Sequence, residues 1–238
     1  MKENNSFSKG IIDGLPICVG YFSVAFAFGI FAVSSGLSIL EAVLMSLTNM
    51  TSAGQLAAVP IIAAGGSLIE LALTQFIINI RYSLMSVSLS QKLGKSVRLL
   101  DRFIIAFVNT DEVFAVASGN KNAVGKRYLY GLIITPVIGW TLGTLVGAAA
   151  GHILPQMVIS CLGVAIYGMF IAIIVPVVKE EKNTALCVIL AIVLSCIFYY
   201  VPFLKGVPSG FVIIICSVIA SAVFAYVAPV SEEVADCE

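Results

Sequence analysis

Six runs of about twenty apolar residues constrain what this chain can fold into. They cover residues 14–34, 67–90, 127–150, 156–178, 184–204 and 208–227. At a rise of about 1.5 Å per helical residue, each run is long enough to cross the hydrocarbon core of a bilayer. In the whole chain, 60% of the residues are apolar, against roughly half in soluble domains. The sequence therefore predicts an all-α, polytopic integral membrane protein that is embedded in the lipid bilayer.

Two further apolar segments are interrupted by polar residues at their centres. Residues 39–64 contain the patch Thr48-Asn49-Met50-Thr51-Ser52-Ala53-Gly54-Gln55, and residues 103–120 contain Asn109-Thr110-Asp111-Glu112. Irregular backbone at membrane depth occurs only where protein or a water-filled cavity satisfies its polar groups. We expect both segments to be broken or re-entrant helices, in addition to about six full transmembrane helices.

The distribution of Lys and Arg favours a topology in which both interrupted segments enter the membrane and return. Short loops rich in these residues stay cytoplasmic. If both segments crossed fully, Lys205 and the four basic residues of 92–102 would lie outside; if both return, Lys205 alone does. The chain is then a single transmembrane domain over 1–238, with both termini cytoplasmic and a tail at about 229–238. The basic residues placed inside are Lys2, Lys9, Lys92, Lys95, Arg98, Arg102, Lys121, Lys126, Arg127, Lys179 and Lys182.

Arg81 is a cation inside an apolar run. It lies about 14 Å along the helix from Ser90 and about 21 Å from Ser67, too far to reach the headgroups. Ionisable residues inside membrane spans usually face the bundle interior and mark a substrate or ion path. Among the acidic residues of the chain, Asp111 and Glu112 are the better candidate partners of Arg81, if their segment enters the bundle from the cytoplasmic side. A pairing that only holds helices together is the alternative.

The polar break at residues 51–55 and the polar side chains around Arg81 predict a substrate site. Half-helix ends offer N–H and C=O groups that bind carboxylates, amines or ions near the midplane. The alternatives are a glycine-containing kink or a helix-to-helix contact for the break and, for Asp111 and Glu112, a charged helix N-terminus in a cytoplasmic loop. We assign gating or proton coupling to Asp111 and Glu112. The predicted substrate-binding residues are Thr51, Ser52, Gly54, Gln55, Gln75, Asn79 and Arg81.

Glycines recur every four residues near the centre of the chain, at Gly139, Gly143, Gly147 and Gly151. In a helix this spacing leaves a groove along one face, which allows close approach by the backbone of another helix. We expect these residues to pack against a helix of the same chain or of a separate subunit.

Catalysis, metal binding and nucleic-acid binding find little support in the sequence. His152 is the one histidine and sits in a predicted external turn, and the cysteines form no C-x-x-C pair. No Walker-type phosphate loop is present. The formal net charge is zero, without a basic patch interleaved with aromatics. We expect a protein that is not an enzyme and has no cofactor, metal or nucleic-acid partner.

Several motifs between residues 37 and 114 occur in a specific order and spacing. They are Leu37-Ser38-Ile39-Leu40-Glu41-Ala42, Met45-Ser46 followed by Thr51-Ser52-Ala53-Gly54-Gln55, Asn79-Ile80-Arg81-Tyr82-Ser83, and Asp111-Glu112-Val113-Phe114. Together they resemble the bacterial AzlC family. The resemblance implies the large subunit of a branched-chain amino acid transporter, generally an exporter, in the inner membrane. It also implies a small hydrophobic AzlD-type subunit as partner.

The chain departs from many members of that family at two places. Where relatives often carry an aromatic residue followed by Ala-Gly-Ser-Ala-Gln, it has Met50-Thr51-Ser52-Ala53-Gly54-Gln55, and it has Tyr82 where they often have His. Leucine, isoleucine and valine are therefore implied by the family alone. We expect secondary transport, with export as the implied direction, of branched-chain or other small amino acids. A channel for small solutes or ions and a non-transporting membrane scaffold are the alternatives.

Overall fold

The computed structural model describes residues 3–151 and 181–228, together with residues 153, 155, 157, 171, 174, 175, 178 and 179. In this part of the chain, a two-residue parallel ladder joins β1 (Glu3–Asn4) to β2 (Ala123–Val124), and a 3₁₀ turn covers Pro202–Leu204. The helices are α1 (Phe7–Ser34), α2 (Ile39–Thr48), α3 (Ser52–Ala63), α4 (Leu68–Ser90), α5 (Leu99–Phe107), α6 (Asp111–Ser118), α7 (Lys126–Ala150), α8 (Lys182–Tyr200) and α9 (Ser209–Val227).

Five of the described helices are long and apolar enough to cross a membrane, namely α1, α4, α7, α8 and α9. The predicted all-α polytopic fold is thereby confirmed. Five of the six predicted spans correspond to these helices. The sixth, 156–178, lies outside the described residues apart from single positions, as do His152 and the tail 229–238.

Helix ends differ from the predicted ones where a cap or a proline decides. α1 begins at Phe7, seven residues before the predicted start, because the Ser6 side chain accepts the Lys9 N–H at 3.4 Å and caps the first turn. α8 ends at Tyr200 because Pro202 has no N–H and disfavours helical backbone at Val201. Hydropathy alone does not register either signal.

Both interrupted segments are broken helices, as predicted. Residues 49–51 separate α2 from α3, and residues 108–110 separate α5 from α6. We call residues 39–63 hairpin 1 and residues 99–118 hairpin 2, and the two breaks are their tips.

Backbone contacts show that each hairpin begins and ends at one end of the bundle. β1 pairs with β2, and Leu93 forms a parallel bridge with Val124. The N-terminus, the start of hairpin 2 and its end therefore lie together, at what we call the N-terminal end. α1 leaves this end and α4 returns to it, so hairpin 1, which connects them, begins and ends at the opposite end. The two hairpins enter the bundle from opposite ends.

Hairpin 2 is fastened to α7 at its base through Asp101. This buried carboxylate accepts the Arg98 N–H at 3.0 Å and the Tyr130 hydroxyl at 2.8 Å, and its oxygen lies 2.9 Å from Lys126 Nζ. The hydrogen bond with Lys126 is the main reason why the pKa of Asp101 falls to about 2, and the Arg98 N–H and the Tyr130 hydroxyl add to it.

α1 and α7 run parallel in close backbone contact. A Cβ atom at Gly143 would lie 2.5 Å from the Phe22 carbonyl oxygen, and Cβ atoms at Gly139 and Gly147 would overlap the carbonyl oxygens of Cys18 and Phe26. The helix that faces these three glycines thus belongs to the same chain.

The fourth glycine of the predicted series behaves differently, and α1 supplies glycines of its own. Gly151 ends α7, and a Cβ there would meet its neighbours at an ordinary 3.5 Å. Gly10, Gly14 and Gly29 on α1 also leave no room for a Cβ against α7. The contact is therefore lined by small residues on both helices, which is how helices approach closely in membranes.

We expect Gly147→Ala, on α7, to destabilise the protein. Gly20→Ala, on the contacting helix α1, should stabilise it slightly. A methyl group at position 147 would overlap the Phe26 carbonyl, whereas Gly20 has open space around its Cα. The cost of overpacking is about 1–3 kcal/mol, while Ala replaces helical Gly with a gain of roughly 0.5–1 kcal/mol. Thermal unfolding of both purified variants measures the opposite signs. Equal Tm changes in both variants would contradict the close contact.

We expect Asp101→Asn to lower thermal stability at neutral pH and to lose this effect in acid. Because the pKa of Asp101 in the folded protein is below its unfolded value, its contribution is complete above about pH 4 and disappears as the pH falls towards 2. Tm values of wild type and variant between pH 3 and 8 test this. A Tm difference that grows in acid would contradict the assignment.

Candidate functional site

The tips of the two hairpins meet against α4. They line a small cavity of about 230 Å³. Its wall combines polar residues of both tips with two residues of α4. These are Asn49 and Thr51 from hairpin 1, Asn109 and Thr110 from hairpin 2, and Asn79 and Tyr82 from α4.

A large cavity of about 620 Å³ lies beside the small one. Met50, Tyr82 and Thr110 line both, so the two spaces share a wall. The charged residues Arg81, Asp111 and Glu112 lie on one part of the large cavity's surface. The first turn of α3 and residues of α1 and α7 form the rest, including Ser52, Ala53, Ile17, Tyr21, Val24 and Trp140.

Arg81 pairs with Asp111 on the surface of the large cavity. The guanidinium lies 2.8 Å from the carboxylate, and the two side chains are 50% and 48% exposed. Arg81 also donates to the Tyr82 hydroxyl at 3.0 Å. Ion pairs with this much exposure contribute only about 0–1 kcal/mol. A ligand that offers its own charges can therefore replace the pair at little cost.

Glu112, the second carboxylate, is tied to α1. The Tyr21 hydroxyl donates to the Glu112 carboxylate and lies 2.6 Å from Thr110 Oγ1. The Tyr21 ring packs edge-on against Trp140, with 5.2 Å between the ring centroids. Tyr21 thus connects the tip of hairpin 2 to the α1–α7 pair.

Two helix N-termini face the large cavity. Ser52 and Ala53, in the first turn of α3, line it, and the N–H groups of a first turn have no partner within the helix. Thr51 Oγ1 accepts the Gly54 N–H at 3.2 Å and caps this helix. The start of α6 differs because it already carries Asp111 and Glu112. The α3 N-terminus is therefore the end that favours an anionic group of a ligand.

Gln75 holds the tip of hairpin 1 on α4. Its carbonyl oxygen accepts from the side-chain amides of Asn49 at 3.0 Å and Asn79 at 3.2 Å, and its amide donates to the Gly54 carbonyl at 2.8 Å. Gln75 thus fastens the Asn49 side chain of the break and the first turn of α3 to α4.

Gln55 joins hairpin 1 to α7 instead of lining a cavity. Its side chain is fully buried and donates to Ser46 Oγ at 3.0 Å, and Ser46 lies 2.7 Å from Thr144 Oγ1. These three side chains connect α3, α2 and α7. Together with Gln75, they fix the two halves of hairpin 1.

The structure divides the predicted site residues into three groups. Ser52 and Arg81 line the large cavity with Asp111 and Glu112, and Thr51 and Asn79 line the small one. The others, Gly54, Gln55 and Gln75, make internal contacts around the tip. Substrate binding by any of them stays a prediction.

The residues of the two cavities that were not among the predicted ones include Tyr21, Trp140, Asn109 and Thr110. Tyr21 and Trp140 line the large cavity, Asn109 the small one, and Thr110 both. Two signals mark these residues in the sequence. Tyr21 and Trp140, the one tryptophan, lie inside apolar runs, and Asn109-Thr110 stands directly before the start of a helix.

The fold and its polar interior define a polytopic α-helical membrane protein with a charged cavity at the meeting point of two re-entrant hairpins. The chain belongs to the AzlC family, since the family described as AzlC protein matches residues 16–154. This range contains both hairpins, Arg81, all of α7 and most of α1.

Two relatives extend the match over most of the chain. Inner membrane protein YgaZ of Escherichia coli (strain K12) is 32% identical over 195 residues, which are 79% of each chain. An uncharacterized membrane protein of Archaeoglobus fulgidus is 34% identical over 187 residues, 78% of this chain and 82% of its own length. No solved structure matches the chain.

Proposed function

We propose that this protein is a secondary transporter that exports small amino acids, branched-chain ones among them, across the bacterial inner membrane. The observation that carries the proposal is the composition of the large cavity. It offers a cation, two carboxylates, a helix N-terminus and an apolar wall, which together match a zwitterion with an aliphatic side chain. Its volume of about 620 Å³ falls in the range of roughly 300–1,000 Å³ typical of small-molecule sites.

The carboxylate of the substrate would bind between Arg81 and the start of α3. Arg presents donors in a planar fork that fits a carboxylate. Ser52 and Ala53 place the positive end of the α3 dipole on the same cavity. This arrangement requires the substrate to take over the place of Asp111 at Arg81.

The ammonium group of the substrate would then meet Asp111 and Glu112. Because the Arg81–Asp111 pair is half exposed, separating it costs little, and each of its partners gains an opposite charge from the same substrate. A molecule with only one of the two charges would leave one partner unpaired. The exchange thus favours zwitterions over simple acids and amines.

The apolar part of the wall would receive an aliphatic side chain. Ile17 and Val24 from α1 and Trp140 from α7 line the large cavity. Burying apolar side-chain surface is worth about 25 cal/mol per Å². This wall has no charged group of its own, which disfavours side chains that carry one.

Gating would use the two hairpin tips. A substrate ammonium group or a proton at Asp111 or Glu112 weakens the bonds that join hairpin 2 to Arg81 and to Tyr21. The breaks at 49–51 and 108–110 are short irregular segments, which absorb backbone rotation more readily than helices do. The sequence contains no nucleotide motif, which supports transport driven by a gradient.

The proposal also covers the orientation of the protein in the membrane and its partner subunit. The N-terminal end of the bundle carries the basic loops, so the positive-inside rule assigns it, with both termini, to the cytoplasm. α8 has no fully buried residue in the described part of the chain, where it packs against α9 through Cys187 and Ala220, and so it offers surface to a further chain. A small hydrophobic AzlD-type subunit is the partner that family membership supports.

We expect Arg81→Ala to weaken amino acid transport by roughly 10- to 150-fold in apparent affinity, because a charge-assisted hydrogen bond is worth about 1.5–3 kcal/mol. Counterflow of labelled valine and leucine in proteoliposomes, with and without the small subunit, measures it. Arg81→Lys should retain part of the activity. Arg127→Ala, which removes an exposed arginine remote from both cavities, is the matched control and should transport normally.

Two results would contradict the proposal. Normal counterflow by Arg81→Ala at wild-type abundance would remove Arg81 from the substrate site. Flux that does not saturate and never concentrates the amino acid against its gradient would identify a channel.

A further inference from the structure

The small cavity between the hairpin tips contains two buried amide oxygens without a hydrogen-bond partner. They are Asn79 Oδ1 and Asn109 Oδ1. Asn109 is only 2% exposed. An unpaired buried acceptor costs about 1–3 kcal/mol, so two of them on one cavity favour a ligand that is a hydrogen-bond donor or a cation.

The hydrogen bonds of the same side chains indicate which amide atom is free. Asn79 Nδ2 donates to Gln75 Oε1 at 3.2 Å, and Gln75 cannot exchange its own oxygen and nitrogen without losing its bond to the Gly54 carbonyl. Asn79 therefore leaves an oxygen, the atom that binds cations. In the orientation that the structure shows, Asn109 Nδ2 donates to Ser86 Oγ at 3.1 Å, and its oxygen is free.

The rest of the wall adds further oxygens and the negative ends of two helix dipoles. Thr51 and Thr110 contribute hydroxyl groups. α2 ends at Thr48 and α5 at Phe107, both on this cavity, and the last carbonyls of a helix lack partners within it. Carbonyls at the C-terminal ends of half-helices coordinate Na⁺ in membrane transporters.

From this wall we infer that the small cavity binds a Na⁺ ion. No carboxylate lines it, and Ca²⁺ and Mg²⁺ sites in proteins rely on carboxylates. The part of the chain that the structure describes also contains no group of three His, Cys, Asp or Glu side chains able to hold a metal. A site made of neutral oxygens suits a single charge. The cavity, at about 230 Å³, exceeds the roughly 30 Å³ of one water, so the ion keeps part of its hydration.

The position of the site couples the ion to the large cavity. Met50, Tyr82 and Thr110 separate the two spaces. Arg81, Asp111 and Glu112 carry formal charges of one positive and two negative, a net charge that one bound cation balances. That Na⁺ drives transport rests on the proposed function; that Na⁺ binds does not.

Binding of radioactive Na⁺ to the purified full-length protein in lipid nanodiscs, without amino acid, tests the inference. We expect wild type to retain Na⁺, Asn109→Ala to lose affinity by about tenfold or more, and Asn109→Asp, which keeps an oxygen there, to retain it. Asn183→Ala, an exposed asparagine at the start of α8, is the matched control and should bind like wild type. A higher Tm in NaCl than in choline chloride at equal ionic strength should accompany binding, and the Tm of each variant in choline chloride shows that it is folded.

The inference is overturned if wild type retains no Na⁺, if Asn109→Ala binds as well as wild type, or if KCl or NH₄Cl raises the Tm as much as NaCl. The two proposals fail separately. Na⁺ retention without valine counterflow would refute amino acid transport and leave the ion site standing. Valine counterflow by a protein that retains no Na⁺ would refute the ion site and leave amino acid transport standing.

Discussion

The backbone at a break in a membrane helix cannot face lipid. This protein has two such breaks, and its arrangement follows from where they lie. Backbone N–H and C=O groups that lose their helical partners must find others inside the protein. Here each break lies at the tip of a re-entrant hairpin, and the tips meet on α4. Gln75 supplies one tip with partners, and Tyr21 contacts the other. The requirement that makes the breaks costly thus also concentrates polar groups in the middle of an apolar bundle.

The close contact of α1 and α7 determines the shape of this polar centre. Glycines on both helices allow their backbones to touch. Tyr21 and Trp140 extend from this pair and meet edge to face. Both line the large cavity, and the Tyr21 hydroxyl binds Glu112 there. If the helices were further apart, Tyr21 would lose its position beside Glu112, and hairpin 2 would lose its link to α1.

Local patterns were enough to predict the breaks and Asp111 as a partner of Arg81, whereas Glu112, the other candidate, binds Tyr21. A polar patch and a charge inside an apolar run are properties of neighbouring residues. The contacts between distant residues were not predictable in this way. Tyr21 and Thr110 are 89 positions apart, and nothing near either residue indicates the other. The same limit separates Ser52, which lines the large cavity, from Gln55, three positions later, which is buried against Ser46. Which face of a half-helix points inward depends on packing that appears only in the folded chain.

Reaction of single cysteines with a membrane-impermeant thiol reagent tests the central claim, that the hairpins enter from opposite ends and return. After replacement of the 6 native cysteines, Cys is placed at four exposed positions, Ser34, Ala64, Lys95 and Lys121. In sealed cells, positions 34 and 64 should both react from outside, and positions 95 and 121 should react only after the membrane is opened. Reaction of position 34 and position 64 from opposite sides would show that hairpin 1 crosses the membrane and would contradict the account.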